Sequence, residues 1–482
     1  MKKKFVTNLA LLILLNLLVK PFWIFGIDRT IQNIVGAGEY GFYFSLFNFS
    51  LILNILLDLG ITNYNNKNIA QNNQLVSKHL SNIVVLKFLL AIFYFIASIG
   101  LAMIIGYDSR QIHLLFLLVF NQFLISLTLY LRSNISGLHF FKTDSFISVL
   151  DRLLMIIICS ALLWGNITSQ SFQIEWFVYA QTASYLITAF VSFLLVLAKS
   201  EFFKLNFDRN FFIVFLKQSY PYALLILLMS FYNRIDAIML ERLLPDGDIQ
   251  AGIYAQAYRI LEAATMFAFL FSTLLLPIFS KMIKLKQPVQ QMLRLSYLLL
   301  IVPAFTLSIA SVIYRCEIME LLYHYHVSES ASIFGFLILG FISMSTTYIF
   351  GTLLTANGSM KYLNIMATIG MVLNILLNLI LIPNYGALGS AIASFATQTF
   401  TALAQVILVK YIFDIKTNST LLYVILLFVV CVIGISFTCK NYIDNWVVGF
   451  ITIGIISMFI AFFFRLINLK SLYEIVRHDK ND

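Results

Sequence analysis

The chain has 482 residues, of which 60% are hydrophobic and only 11% charged, and it carries a net charge of +10. Soluble domains average about 25% charged residues, and no soluble core of this length could hide so much apolar surface, whereas a bilayer, itself an apolar solvent, can. The positive excess does not point to nucleic acid, because the basic residues are scattered through short loops, as expected of cytoplasmic loops in a membrane protein.

In chain order, Lys2, Lys3 and Lys4 precede an apolar run over Phe5–Phe25. A secretory signal would have an apolar region of ~7–15 residues and a small-x-small cleavage site after it. Neither fits, so the run reads as a first spanning helix with its amino end in the cytoplasm. Apolar blocks and their breaks then place spans at 5–26, 40–61, 83–106, 112–131, 146–165, 172–197, 211–232, 250–279, 293–314, 330–355, 361–382, 386–411, 419–438 and 446–467. Each approaches or exceeds the ~20 residues that cross a bilayer, and the 250–279 block is long enough to begin as an extramembrane turn of helix.

The distribution of basic residues tests this parse independently. With the amino terminus inside, the inside segments collect most of the Lys and Arg, from Lys2–Lys4 through Lys142, Lys204, Lys284 and Lys361 to Lys480. The outside loops hold Arg29, Arg110, Arg242, Arg315 and Lys440. A miscounted helix in the middle would swap sides downstream and destroy the bias. The expected fold class is therefore an all-α polytopic membrane protein of about fourteen transmembrane helices, with both termini cytoplasmic.

No loop leaves room for a soluble domain, which argues against polymerases and ligases that work through a large periplasmic loop. There is no GxxxxGK[ST] phosphate loop and no HExxH metal motif. His324 and His326 form an isolated HxH, which does not make a metal site. Cys159, Cys316, Cys431 and Cys439 show no metal spacing and read as buried small hydrophobes. Neither a cofactor nor a metal is called for.

An internal repeat organises the helices. Glu39-Tyr-Gly-Phe-Tyr43 opens the second span and Gln250-Ala-Gly-Ile-Tyr254 opens the eighth. Ser136-Gly-Leu-His-Phe-Phe-Lys142 and Ala356-Asn-Gly-Ser-Met-Lys361 link the fourth to the fifth and the tenth to the eleventh. The paired motifs are six helices apart, so the halves enter the membrane in the same orientation, a parallel repeat. Two six-helix lobes, 1–205 and 206–415, are expected to flank a cleft, with two further helices and a tail in 416–482, an arrangement suited to alternating access.

Ionised side chains at mid-bilayer cost about 2.5–3.5 kcal/mol on insertion scales and persist where they face a wet cavity or a partner. Lys87 and Lys217 are close enough to the cytoplasmic ends to snorkel, and Asp58 could cap or pair there. Arg259 and Glu262 share a helical face. Lys20 adjoins Pro21, which should kink or end the first helix. If Lys20, Arg152, Arg234 and Arg259 line the cleft, it is cationic and suits a phosphate-bearing substrate. Asp58, Asp151, Asp236 and Glu262 are the candidates for proton or sodium coupling.

Gly38-Glu-Tyr-Gly-Phe-Tyr43 followed by Leu57-Asp-Leu-Gly-Ile61, and Asn233-Arg-Ile-Asp236 followed by Ala251-Gly-Ile-Tyr-Ala-Gln-Ala-Tyr-Arg259, resemble the bacterial polysaccharide-repeat (O-antigen) flippases of the multidrug/oligosaccharidyl-lipid/polysaccharide exporter superfamily. The resemblance spans essentially the whole chain. It implies a non-enzymatic inner-membrane flippase that moves an undecaprenyl-pyrophosphate-linked oligosaccharide, for O-antigen, lipopolysaccharide or a related polymer, from the inner to the outer leaflet. It also implies contact with membrane lipid and cooperation with a polysaccharide polymerase and chain-length proteins. Arg234 and Asp236 match the family's Arg-x-Asp element and Arg259 its basic residue after Gly-x-Tyr, whereas Lys20 and Arg152 match no motif. The alternative is a proton- or sodium-coupled cation or drug antiporter of the same fold.

Overall fold

A computed structural model of the chain describes residues 15–16, 18–62, 65–66, 69, 74, 76–138, 140–165, 170–200, 209–415 and 419–467. Most of the expected first span, with Lys2–Lys4, lies outside them, as does the side chain of Lys217. The described residues are helical, with no strand among them. A π-helical segment, Trp23–Asp28, leads into α1 (Arg29–Ile52), and a 3-10 turn (Asn54–Leu57) follows. Then come α2 (Val76–Ile105), α3 (Ser109–Gly137), α4 (Phe141–Trp164), α5 (Ile174–Leu197) and α6 (Arg209–Leu243). The chain continues as α7 (Gly247–Lys284), α8 (Gln290–Ile313), α9 (Arg315–Leu322), α10 (Val327–Ala356), α11 (Met360–Ile412), α12 (Ser419–Tyr442) and α13 (Trp446–Phe463).

Eleven of these are long and apolar enough to cross a membrane. One of them, α11, is two helices joined at Gly386, whose φ of 57° lies in the left-handed region. A Cβ on Gly389 would stand 2.4 Å from the Leu381 carbonyl oxygen, so the two arms approach backbone to backbone. The sequence places its eleventh and twelfth spans on these arms. The polytopic all-helical fold class thus holds.

Two boundaries differ from expectation. Residues 27–39, read as an outside loop, are helical on either side of Gly36, where φ is 82°. The second span, expected over 40–61, leaves α-helical geometry at Ile52, and Leu59 (φ 45°) and Gly60 (φ 87°) turn the chain. Local signals set other ends. Asp108 and Gln111 cap α3 reciprocally, Asp108 accepting from the Gln111 amide at 2.8 Å and Gln111 Oε1 from the Asp108 amide at 2.9 Å. Gly106 and Gly358, both at positive φ, end α2 and α10.

The chain packs as two compact units, 1–255 and 256–482, divided within α7. In the first, α6 lies along α1, and α3 packs on α5. In the second, α10 packs on α8 and α11, while α12 and α13 pack on α8. The outward faces are apolar, as lipid contact requires. On α4, Phe146, Leu153, Ile157 and Trp164 are exposed while Val149, Met155 and Cys159 are buried. On α13, the small residues Gly449, Ser457 and Ala461 are buried along one face together with Ile453, and Ile451, Ile455 and Phe459 face out. Without a hydrophobic drive between helices in lipid, such close packing of small residues supplies cohesion. A Cβ on Gly449 would fall 2.2 Å from the Tyr314 hydroxyl, and Lys440 Nζ clamps α12 to the Ile313 carbonyl and Glu317.

Of the cysteines, Cys159 and Cys439 are buried as expected, whereas Cys316 is exposed because it lies on the short α9, between membrane-length helices.

A cationic group in the first unit

Pro21 does not end the first helix. The chain passes from helix into the π-helical turn Trp23–Asp28, which inserts an extra residue per turn and shifts the helix face. Trp23 stacks on Phe177 of α5 at 5.7 Å, and Phe177 meets Tyr43 of α1 edge-on at 5.2 Å. Gln181 donates to the Tyr43 hydroxyl at 2.9 Å. This aromatic packing fixes Trp23 beside α4.

Against that wall sits Arg152. Its guanidinium lies 5.5 Å from the Trp23 ring centroid and 5.9 Å from that of Tyr185, and its Nε is 3.7 Å from Asp151. Such cation–π contacts hold a guanidinium in place without neutralising it. Lys20 is half-buried, with Arg152, Asp151 and Arg132 as its electrostatic neighbours. It makes no hydrogen bond or ion pair among the described residues. Arg132 is committed to Asp144 at 2.7 Å. The structure therefore gathers Lys20, Arg152 and Asp151, three of the residues singled out in the sequence, into one group with an excess positive charge. The single carboxylate of Asp151 cannot balance two withdrawn cations, so the group is suited to an anion.

The other candidates sit elsewhere. Arg234 is half-buried inside α6, which runs on to Leu243, and its Nη1 donates to Asn48 Oδ1 at 3.2 Å. Asp236 is buried and accepts from the Tyr254 hydroxyl at 2.9 Å. In the second unit, Arg259 and Glu262 form an ion pair at 2.7 Å, which their spacing allowed for.

Asp58 pairs with Lys87 at 2.6 Å. Lys87 does not snorkel, contrary to the expectation. It is fully buried and also donates to the Leu57 carbonyl and Ser126 Oγ, both at 2.9 Å. The break after α1 frees the Leu57 carbonyl, and the ammonium satisfies it there.

One buried carboxylate escaped the sequence reading. Asp28 is 2% exposed and accepts from the Tyr40 hydroxyl at 2.9 Å and from Gln32 at 3.1 Å. It resembles Asp236 in being held by a tyrosine of the next helix. The signal was an acid two residues past the expected first span, with Tyr40 in the repeat motif. At the other half, Asn374 and Asn378 of α11 are buried and bonded to each other at 3.1 Å. No cluster of metal-ligating side chains occurs among the described residues.

A sequence model of the family described as "Polysaccharide biosynthesis protein" matches residues 5–283. A search of curated protein sequences returns no match. Among solved structures, the lipid II flippase MurJ in an inward closed conformation superposes with a TM-score of 0.74 at 16% identity, covering 95% of this chain and 98% of that one. An inward-facing multidrug resistance MATE transporter of the MOP superfamily gives 0.62 at 14% identity, covering 85% and 98%. A MOP-superfamily transporter from Pyrococcus furiosus with a binding pocket of reverse polarity gives 0.53 at 14% identity, covering 84% and 93%. At these identities the likeness is one of fold.

Proposed function

Since the chain belongs to the polysaccharide biosynthesis protein family and has the fold of MOP-superfamily flippases and transporters, we propose that it flips an undecaprenyl-pyrophosphate-linked oligosaccharide from the cytoplasmic to the periplasmic leaflet of a bacterial inner membrane. The observation that carries this reading is Lys20, which makes no hydrogen bond or ion pair among the described residues, beside the aromatic-held Arg152. A pyrophosphate supplies the counter-charge this group lacks, and guanidinium and ammonium are the side chains that bind phosphate oxygens most strongly. The polyprenyl tail would stay in lipid while the sugars cross in a wet cavity, and no bond is made or broken. The lobes 1–205 and 206–415 would alternate access, and polymerase and chain-length proteins would take up the product.

The antiporter reading has the MATE likeness in its favour. It needs free acids, and Asp58 and Glu262 are already matched by Lys87 and Arg259.

The test is deletion in the host, with surface polymer and the pool of lipid-linked single repeats measured together. Loss of polymer with repeats trapped in the cytoplasmic leaflet, uncorrected by Lys20→Ala or Arg152→Ala alleles, is expected. Normal polymer with a new sensitivity to cationic drugs would transfer the reading to the antiporter.

A further inference from the structure

Two recesses open on the first unit, at the end that the basic-residue distribution assigns to the outside, and they share a wall. One, of about 540 Å³, is bounded by Glu39 of α1, Arg110 of α3, Glu241 near the end of α6, and Asp246 and Asp248 at the turn into α7. The other, of about 500 Å³, lies between the same Glu39 and Arg110 and residues 171–175, which lead into α5. Each falls within the ~300–1,000 Å³ of small-molecule sites. The shared wall is held in place: Arg110 bonds Glu39 at 3.0 and 2.6 Å and Glu175 at 2.8 Å, and its guanidinium lies 4.5 Å from the ring centroid of the buried Phe42.

The walls carry more acid than base. Arg110 is shared between two carboxylates, Arg242 lies 2.9 Å from Glu241, and Asp246 and Asp248 make no ion pair among the described residues. The Glu241 side chain is only 7% exposed, yet its Oε2 accepts no hydrogen bond, and neither does the buried Oδ1 of Asp248. Carboxylate oxygens with spare acceptor capacity take hydroxyl donors in short, charge-assisted bonds. In the neighbouring recess, Ser171 and Gln173 add exposed polar groups, and Phe172, edge-on to Trp176 at 6.0 Å, adds an apolar ring.

Acceptors in need of donors beside a flat apolar ring match a pyranose, which has a rim of hydroxyls and faces of C–H. A phosphate or a carboxylate would instead meet the surplus of like charge. The recess is thus opposite in sign to the Lys20–Arg152 group, and α5 connects the two. Glu175 stands at its outer end, and Tyr185, whose ring lies 5.9 Å from the Arg152 guanidinium, is about 15 Å further along the helix at ~1.5 Å per residue. An oligosaccharide that leaves the cationic group sugar-first meets the recess after about three helical turns of travel.

We infer that the paired outer recess is a glycan subsite, which receives the leading sugars of the cargo and favours neutral or amino sugars over uronic acids. The inference rests on the flippase reading for the presence of a glycan and on the charge distribution for its side.

Equilibrium dialysis of the purified protein tests it. The probe is the oligosaccharide released by mild acid from the host's lipid-linked repeats, free of pyrophosphate, and trigalacturonate is the acidic comparison. The released oligosaccharide is expected to bind saturably and at least tenfold more tightly than trigalacturonate. Phe172→Ala combined with Gln173→Ala, both ahead of the first residue of α5, is expected to weaken it at least fivefold. No saturable binding, equal binding of trigalacturonate, or undiminished binding by the double variant would overturn the subsite and leave the deletion test of the flippase reading untouched. Binding as expected, by a protein whose deletion leaves surface polymer normal, would support the subsite and count against that reading.

Discussion

Lys87→Met removes an ammonium while keeping most of the side chain's apolar stem. Three acceptors lose the ammonium: the Leu57 carbonyl at 2.9 Å, which keeps the Ser126 hydroxyl at 3.1 Å, Asp58 at 2.6 Å, which keeps the Thr62 donors, and Ser126 at 2.9 Å. Hydrogen bonds to a charged group contribute about 1.5–3 kcal/mol each. Orphaning one member of a fully buried pair costs about 3–5 kcal/mol. Asp58 keeps 28% of its side-chain surface exposed, so water recovers part of that cost, and the net destabilisation should be about 2–3 kcal/mol, near the low end of those ranges. Reversible unfolding in mixed micelles, read by helix content and run as a cycle with Asp58→Asn, separates the pair from its surroundings. The double variant should lose about 1–2 kcal/mol less than the sum of the singles, within the coupling seen for residues in contact. Strict additivity, or a Lys87→Met protein within about 0.5 kcal/mol of the parent, as for surface changes, would refute this reading of the buried Lys87–Asp58 pair.

Lys20→Met should abolish delivery of lipid-linked repeats and leave stability unchanged or raised, because the ammonium makes no hydrogen bond or ion pair among the described residues; a matching fall in stability would show that the lysine is structural. Gly449→Val should cost about 1–3 kcal/mol by overpacking against the Tyr314 hydroxyl, and adding Tyr314→Phe should recover part of it in the same micelle unfolding assay. Tyr254→Phe removes one donor to the buried Asp236 carboxylate and should lower stability by about 1.5–3 kcal/mol. Arg110→Ala, by contrast, should change stability by about 1 kcal/mol or less, as exposed ion pairs do.

The apolar blocks made the fold legible because lipid exposure imposes long hydrophobic runs whatever the tertiary arrangement. The Arg259–Glu262 pair was legible because three residues on a helix are always neighbours. Lys87 was misread because its partner lies on another segment: distance from a helix end suggested snorkelling, while the break after α1 delivers a carbonyl and a carboxylate to it. Asp28 was missed because the first helix was ended at residue 26, although a π-helical turn carries it onward. Lys20 and Arg152 could be picked out as charges in apolar runs, but Arg152 and the rings of Trp23 and Tyr185 around it come from three separate stretches of chain, a proximity no local pattern encodes.

The bend at Gly386 bears on how the protein enters the membrane. Its two arms, each about a bilayer long at ~1.5 Å per residue, have only the exposed Pro383, Asn384 and Tyr385 at the tip between them. Neither arm has a tether long enough to let it settle before the other, so ribosome and translocon must handle 53 residues as a single hairpin. A reporter or protease site spliced in at that tip would pry apart the Leu381–Gly389 approach, and topology mapping should treat that turn as a place where the probe itself alters the answer.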